Sequence, residues 1–243
     1  MKKLAFLLLI LFLTGCAGGK AVQQEPLIYD DGSIEVYFCP AQDCESRLLS
    51  FMDSAKSSLH CAFYDIGLKS VQQKLLEKSK EVEVFVVTDD DYYKKFNASF
   101  VKKDSYGLMH NKFCIVDGMK VVSGSMNPTD NDAFKNNNNL LIIDSKVIAD
   151  NYEDEFQELF NGEFKKGIKV INPKVILDGI RVETYFCPED DCAYHVQQEL
   201  KKATESVYFM TFSFTHQGIA NELLLKNLDG LEVKGVMEVR QIS

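Results

Sequence analysis

Ile34-Glu-Val-Tyr-Phe-Cys-Pro-Ala-Gln-Asp-Cys44 returns further along the chain as Val182-Glu-Thr-Tyr-Phe-Cys-Pro-Glu-Asp-Asp-Cys192. The offset, Cys39 to Cys187, is 148 residues, and Glu, Tyr, Phe, Cys, Pro, Asp and Cys recur at matched places. The pattern continues beyond the echo. Residues 45–56 and 193–204 read as helices. Ser58 to Tyr64 matches Ser206 to Phe212 as a buried strand. Leu75 and Leu76 match Leu223 and Leu224 inside a second helix. After a one-residue insertion, Val82 to Val84 matches Leu231 to Val233 as another strand. A repeat this long indicates duplication of a whole fold unit. Strands alternating with helices predict an α/β protein: an α/β/α sandwich around a central mixed sheet. Apolar runs at Val84–Val87 and Leu140–Ile143 suit strands buried on both faces. A helix over Val147–Phe160 closes the first unit at Asn161-Gly162.

The second copy is shorter. By the offset, its counterpart of residue 110 falls near 259, past Ser243, so an incomplete second copy is expected, through truncation or loss. The predicted organisation is a leader over 1–16, a tether over 17–33, a first unit over 34–165, a connector over 166–181 and a truncated second unit over 182–243.

The 243 residues are 46% hydrophobic and 26% charged, an ordinary globular composition that excludes wholesale disorder. The formal charge is −9. An acidic chain does not hold polyanions by its overall field, so contact with nucleic acid or phospholipid requires a local basic patch. At the start, Lys2 and Lys3 precede an uncharged run from Leu4 to Leu13, a secretory signal. It ends in Leu13-Thr14-Gly15-Cys16, which resembles the lipobox of exported lipoproteins. That resemblance implies cleavage before Cys16, a lipid on its sulfur, and a place at the outer face of the cell membrane or in the envelope. The alternative is a plain signal peptide with a chance cysteine.

Export permits disulfides. Cys39/Cys44 and Cys187/Cys192 share Cys-Pro-x2-Asp-Cys spacing, which reads as a local disulfide stapling a loop. Two cysteines rarely hold zinc. His195 lies three residues from Cys192, but Arg47 takes the matching place in the first copy, so no metal is expected. Cys61 and Cys114 sit in apolar strands and read as small core residues.

Chemistry concentrates at His110-x-Lys112-x4-Asp117-x6-Gly124-Ser125-x-Asn127. His110 and Lys112 stand two apart in a strand-like run from Met109 to Val116, so they are expected on one face. An imidazole nitrogen can attack phosphorus and hold it covalently, and an ammonium stabilises phosphate oxygens. Asp117-Gly118 turns the chain. Gly124 permits close backbone approach, and Ser125 and Asn127 can donate to phosphate oxygens.

This segment resembles the HKD motif of the phospholipase D superfamily, over roughly residues 34–243. The resemblance implies a phosphodiesterase working through phosphohistidine, without metal or other cofactor. His110 would be nucleophile or general acid. Lys112, Ser125 and Asn127 would bind phosphate, and Asp117 would orient the site. The family's site uses two motifs and only one is present, so a full site needs a second chain, as in a homodimer, or the missing C-terminal segment, unless the chain is an inactive fragment. The family also often places an acid near Asn136-Asn137-Asn138-Asn139, where Asn138 stands here. The substrate is a phosphodiester, nucleic acid or phospholipid. The nuclease branch is favoured by the compact unit, and the phospholipid alternative by the lipid anchor. Lys94, Lys95, Lys102 and Lys103 among Tyr92, Tyr93, Phe96, Phe100 and Tyr106 suit single-stranded nucleic acid or a headgroup region, or form a solvated loop over core aromatics. Asp89-Asp90-Asp91 reads as a strand-terminal turn.

Overall fold

The computed structural model describes residues 27–105 and 107–241. The leader over 1–16, Cys16, the start of the tether and Tyr106 lie outside the described residues. In chain order the elements begin with β1 (Ile28–Asp30), β2 (Ser33–Phe38), α1 (Cys44–Asp53), β3 (Ser58–Phe63), α2 (Lys69–Lys78), β4 (Glu83–Thr88) and β5 (Val101–Lys103). There follow β6 (Lys112–Val116), β7 (Lys120–Gly124), α3 (Asp130–Phe134), β8 (Asn139–Asp144) and α4 (Lys146–Asn161). The connector and second copy add β9 (Lys174–Leu177), β10 (Ile180–Glu183), α5 (Cys192–Lys202), β11 (Ser206–Thr211), α6 (Gln217–Leu228) and β12 (Glu232–Met237).

Seven strands form one mixed sheet in the order β2-β8-β7-β6-β3-β4-β5. β3, β4 and β5 run parallel, and the remaining pairs are antiparallel. Alternation along β6 sends Cys114 and Val116 to one face and Phe113 and Ile115 to the other. The first face packs under Leu48, Phe51 and Met52 of α1 and Val71 and Leu75 of α2. The second packs under Ile148, Phe156 and Leu159 of α4. Helices on both faces make the sandwich. Ser145 caps α4 by accepting from the Ile148 amide at 3.2 Å, and Gly162 ends it at φ 83°, a left-handed conformation that costs glycine little.

Two features depart from the sequence reading. Residues 28–30, placed in the tether, pair in parallel with 174–177, placed in the connector, and β10 completes this small sheet. Cys61 and Cys114 are not free core thiols. The β3–β6 register sets them directly opposite, Cα atoms 4.1 Å apart, and they form a disulfide. Cys39–Cys44 and Cys187–Cys192 close local disulfides with Cα separations of 5.6 and 6.0 Å. The strand read at Leu231 to Val233 spans Glu232–Met237.

In the second copy, β11 and β12 pair in parallel with α5 and α6 beside them. Tyr208, Met210 and Phe212, at the places of His60, Ala62 and Tyr64, are 63%, 63% and 70% exposed. Among the described residues, no helix is long and apolar enough to cross a membrane.

Candidate active site

Because β6 runs antiparallel to β3, its first residue, Lys112, lies opposite Phe63 at the carboxyl end of β3. The last residues of β7 and the first of β8 reach the same end, with Gly124 opposite Leu140. One end of the sheet therefore gathers Tyr64, Asp89, His110, Lys112, Ser125 and Asn138.

His110 sits in the loop before β6, not on the strand. The ladder starts only at Lys112, and the preceding backbone is tied elsewhere. Met109 donates its amide to the buried Asp89 carboxylate at 3.2 Å, and Asn111 accepts from the Tyr64 amide at 3.0 Å. His110 and Lys112 still converge, on Tyr64. The His110 ring meets the Tyr64 ring edge-on, centroids 4.8 Å apart, and Lys112 Nζ lies 5.3 Å from the Tyr64 centroid, within cation–π reach. Lys112 Nζ also donates to the His110 carbonyl at 2.8 Å. Tyr92 also packs edge-on against Tyr64, ring centroids 4.7 Å apart.

Burial holds the His110 imidazole below its ordinary value, and the Lys112 ammonium adds to this, while Asp89 and Asp132 pull it up. Burial draws Lys112 down to about 8, with Asp132 opposing. Near neutral pH the imidazole is therefore uncharged, with a nitrogen lone pair for attack, while the ammonium keeps its charge.

Gly124 stands at φ 142°, and a Cβ there would lie 2.3 Å from the Asn139 carbonyl oxygen. Glycine lets β7 and β8 close this tightly, so that Ser125 N donates to Asn139 O at 3.1 Å. Ser125 Oγ donates to Asn138 Oδ1 at 2.9 Å and accepts from the Asn139 amide at 3.0 Å. Asn138 thus spends its amide oxygen on Ser125 rather than on His110. Asn127 donates through its backbone and through Nδ2 to Asp132 Oδ2, at 2.9 and 2.8 Å.

Asp117 does not join this group. It sits in the β6–β7 turn at the opposite end of the sheet, where it and Gly118 both take positive φ and Met119 N bonds Val116 O at 3.0 Å. Five strand residues at ~3.3 Å each separate it from the site by roughly 16 Å. Its carboxylate accepts from the amides of Lys56, Ser57 and Ser58 and from Ser57 Oγ, at 2.7–3.1 Å. The orienting role expected for Asp117 is replaced by a structural one: it clasps the entry to β3.

The basic–aromatic segment also divides. Lys95 bonds Asp65 at 2.7 Å and lies over Tyr92. Lys102 turns away to the Phe160 carbonyl, and Phe96 enters the core. Tyr64 and Asp132 went unnoticed in the sequence. Tyr64 ends an apolar strand and Asp132 lies in an Asp/Asn-rich stretch, so neither stands out by spacing. Among the described residues, Asp89, Asp90 and Asp91 bring carboxylate oxygens within 4.8 Å of one another. Asp89 already accepts from the Met109 and Asp91 amides.

A sheet covered on both faces, with a histidine and a lysine converging on Tyr64 at one end and an asparagine held by Asp132, makes an α/β sandwich with a candidate phosphate site. Comparison with known proteins gives the family. Residues 48–160 match the family described as cardiolipin synthase, PLD-like domain. A mitochondrial cardiolipin hydrolase from Xenopus tropicalis is 33% identical over 150 residues, spanning 56% of this chain and 70% of that protein. Among solved structures, Nuc from Salmonella typhimurium, a phospholipase D family member, superposes with a TM-score of 0.50 at 24% identity, covering 54% of this chain and 96% of its own. The phosphatidylserine synthase of Haemophilus influenzae gives a TM-score of 0.60 at 8% identity over 83% of this chain and 61% of its own, a likeness of fold. The chain belongs to the phospholipase D superfamily, as a phosphodiesterase.

Proposed function

We propose that this chain is an exported, lipid-anchored phosphodiesterase of the nuclease type that cleaves its substrate through a phosphohistidine on His110. The observation that carries this reading is an uncharged imidazole beside a charged Lys112 at one sheet end, with Asn127 close in sequence and held by Asp132. A His110 ring nitrogen attacks phosphorus and the bond to the leaving oxygen breaks. That oxygen takes a proton from the His110 of a second copy, which enters the step as imidazolium, the form that Asp89 and Asp132 favour. Water then attacks the phosphohistidine, returns a proton to the second histidine and releases the phosphate monoester. Lys112 and Asn127 hold the non-bridging oxygens as charge grows on them. A homodimer supplies the second histidine. The signal and Cys16 support anchoring at the outer face of the membrane or in the envelope.

The second reading is phospholipid headgroup hydrolysis. The 33%-identical relative, a cardiolipin hydrolase, favours it. One experiment separates the two: single-stranded DNA, RNA and cardiolipin vesicles offered to the wild-type chain and to His110→Ala. Nucleic-acid cleavage lost in the variant supports the first reading. Cleavage of vesicles alone supports the second. Activity that survives His110→Ala refutes both.

A further inference from the structure

We infer that Asp132 is the positioning carboxylate of this site, holding Asn127 toward phosphate and supplying beside His110 and Lys112 the negative charge that Asn138 lacks. The inference rests on the phosphate-binding reading above. Its test is chosen to work whether or not the chain turns over substrate.

Asp132 lies in the first turn of α3, its amide donating to Thr129 Oγ1 at 3.3 Å. Its side chain turns back over the motif. Oδ2 accepts twice from Asn127, and Oδ1 accepts from Asn136 Nδ2 at 2.7 Å. Its carbonyl accepts from Asn138 Nδ2 at 3.3 Å, and Asn138 Oδ1 in turn receives Ser125 Oγ at 2.9 Å. One residue thus ties together Asn127, Asn136, Asn138 and, through Asn138, Ser125.

The chemistry of the donors fixes the orientation of Asn127. An ionised carboxylate only accepts, so the Asn127 amide must turn its NH2 toward Asp132. One Nδ2 hydrogen is used there, and the second remains for a phosphate oxygen. Asn127 Oδ1 is buried without a partner. In the flipped orientation it would face the carboxylate, oxygen to oxygen. Asp132 therefore selects the rotamer in which Asn127 is a donor. Charge adds to position. The groups acting on His110 are Lys112, Asp89 and Asp132, with Tyr64 against its ring, and those acting on Lys112 include Asp132. Asp89 has its two oxygens on the Met109 and Asp91 amides. Asp132 is the carboxylate that bears on both members of the pair. Asn138, where the family resemblance leads one to expect an acid, is one hydrogen bond away and neutral.

The test follows the His110 ring by NMR titration, its signal assigned by loss in His110→Ala, alongside binding of inorganic phosphate. In Asp132→Asn the His110 midpoint moves down by about half a pH unit or more, and phosphate binds at least about tenfold more weakly. Adding Asn138→Glu to Asp132→Asn returns a carboxylate to the same cluster and brings the midpoint back up. Asp132→Glu, which keeps the charge but moves it by one methylene, leaves the midpoint near wild type and weakens phosphate. It carries the test if Asp132→Asn does not fold. A His110 midpoint unmoved in folded Asp132→Asn, or full phosphate affinity in Asp132→Glu, overturns the inference. Wild-type chain that binds no phosphate refutes the functional reading instead, while a shifted His110 midpoint in Asp132→Asn still upholds the charge coupling.

Discussion

Replacing Asp117 by asparagine should weaken the fold and leave the chemistry alone. Its carboxylate accepts from three consecutive amides and a hydroxyl, and these bonds outweigh burial to hold it at about 2, against an ordinary 3.8. A shift of that size corresponds to about 2.4 kcal/mol of folding free energy at neutral pH. The turn is partly open to solvent, so screening reduces this to about 1–2 kcal/mol. Asparagine tolerates the left-handed φ of 55° and keeps one accepting oxygen, so the backbone of the turn survives. For a chain of this length the loss lowers the melting temperature by about 3–8 °C. The folded-state value is depressed. The stabilisation is therefore full above the unfolded value and is lost as pH falls toward 2. The gap between wild type and variant, read from urea melts, should shrink by about half between pH 7 and pH 3. Turnover per folded molecule should stay within about twofold. A variant with unchanged stability and activity reduced tenfold would return Asp117 to the catalytic group and refute its assignment as a clasp.

Three further outcomes follow from the same structure. Glu155, bonded to Asn111 Nδ2 at 2.9 Å, is pushed up to about 7 by burial, with Glu158, Glu189 and Asp190 adding to it. Stability from its protonated form is present below pH ~4.5 and lost as pH rises through 7, so Glu155→Gln should be more stable than wild type at pH 8 by about 1–3 kcal/mol and equal to it near pH 4.5; a pH-independent difference would discount the charge. The Cys61–Cys114 disulfide spans 53 residues, and chain entropy assigns it at most about 4 kcal/mol; the double alanine variant should lose about 2–4 kcal/mol in urea melts, and equal stability would remove the cross-link. Gly124→Ala should cost about 2 kcal/mol or more by forcing β7 from β8, since its Cβ overlaps the Asn139 carbonyl; an unchanged melt would show that this approach relaxes freely.

The main elements are legible in the sequence because their cause is local. The apolar runs at Ser58–Phe63, Val84–Val87 and Leu140–Ile143 are strands since each is buried between helices on both sides of the sheet. The small β1-β9-β10 sheet is not legible. Its strands are three or four residues long, and β1 finds its partner far along the chain, so no periodicity marks it. The Cys61–Cys114 pairing depends on the register of β3 against β6, which neither strand encodes alone. At the site, motif spacing correctly locates the chemistry but not side-chain direction. Asp117 belongs to the motif by spacing and leaves it by geometry, because the turn that reverses the chain also sends its carboxylate to the far end. Asp132 has no place in the motif and enters the site because α3 folds back over Asn127.

The two copies separate what a strand owes to its own residues from what it owes to its neighbours. β3 and β11 stand at matched positions and both pair in parallel with the next strand, so the repeat is sufficient to build the local βαβ arrangement twice. Burial does not repeat. Ala62 is wholly buried while Met210, at its place, is 63% exposed, although methionine is the more apolar side chain. The difference lies in α4. Phe156 of that helix stacks on His60 with ring centroids 4.8 Å apart, and its Ile148 and Leu159 close the same cluster. No helix plays that part for β11 among the described residues. The helix that covers β3 also fixes the site indirectly. β3 presents Tyr64 at its end, and Tyr64 is the surface on which His110 and Lys112 meet. Phe212, the counterpart of Tyr64, is 70% exposed. The aromatic position is duplicated, but only the copy whose strand is covered on both faces, and continued by β6, turns that ring into a platform for an imidazole and an ammonium.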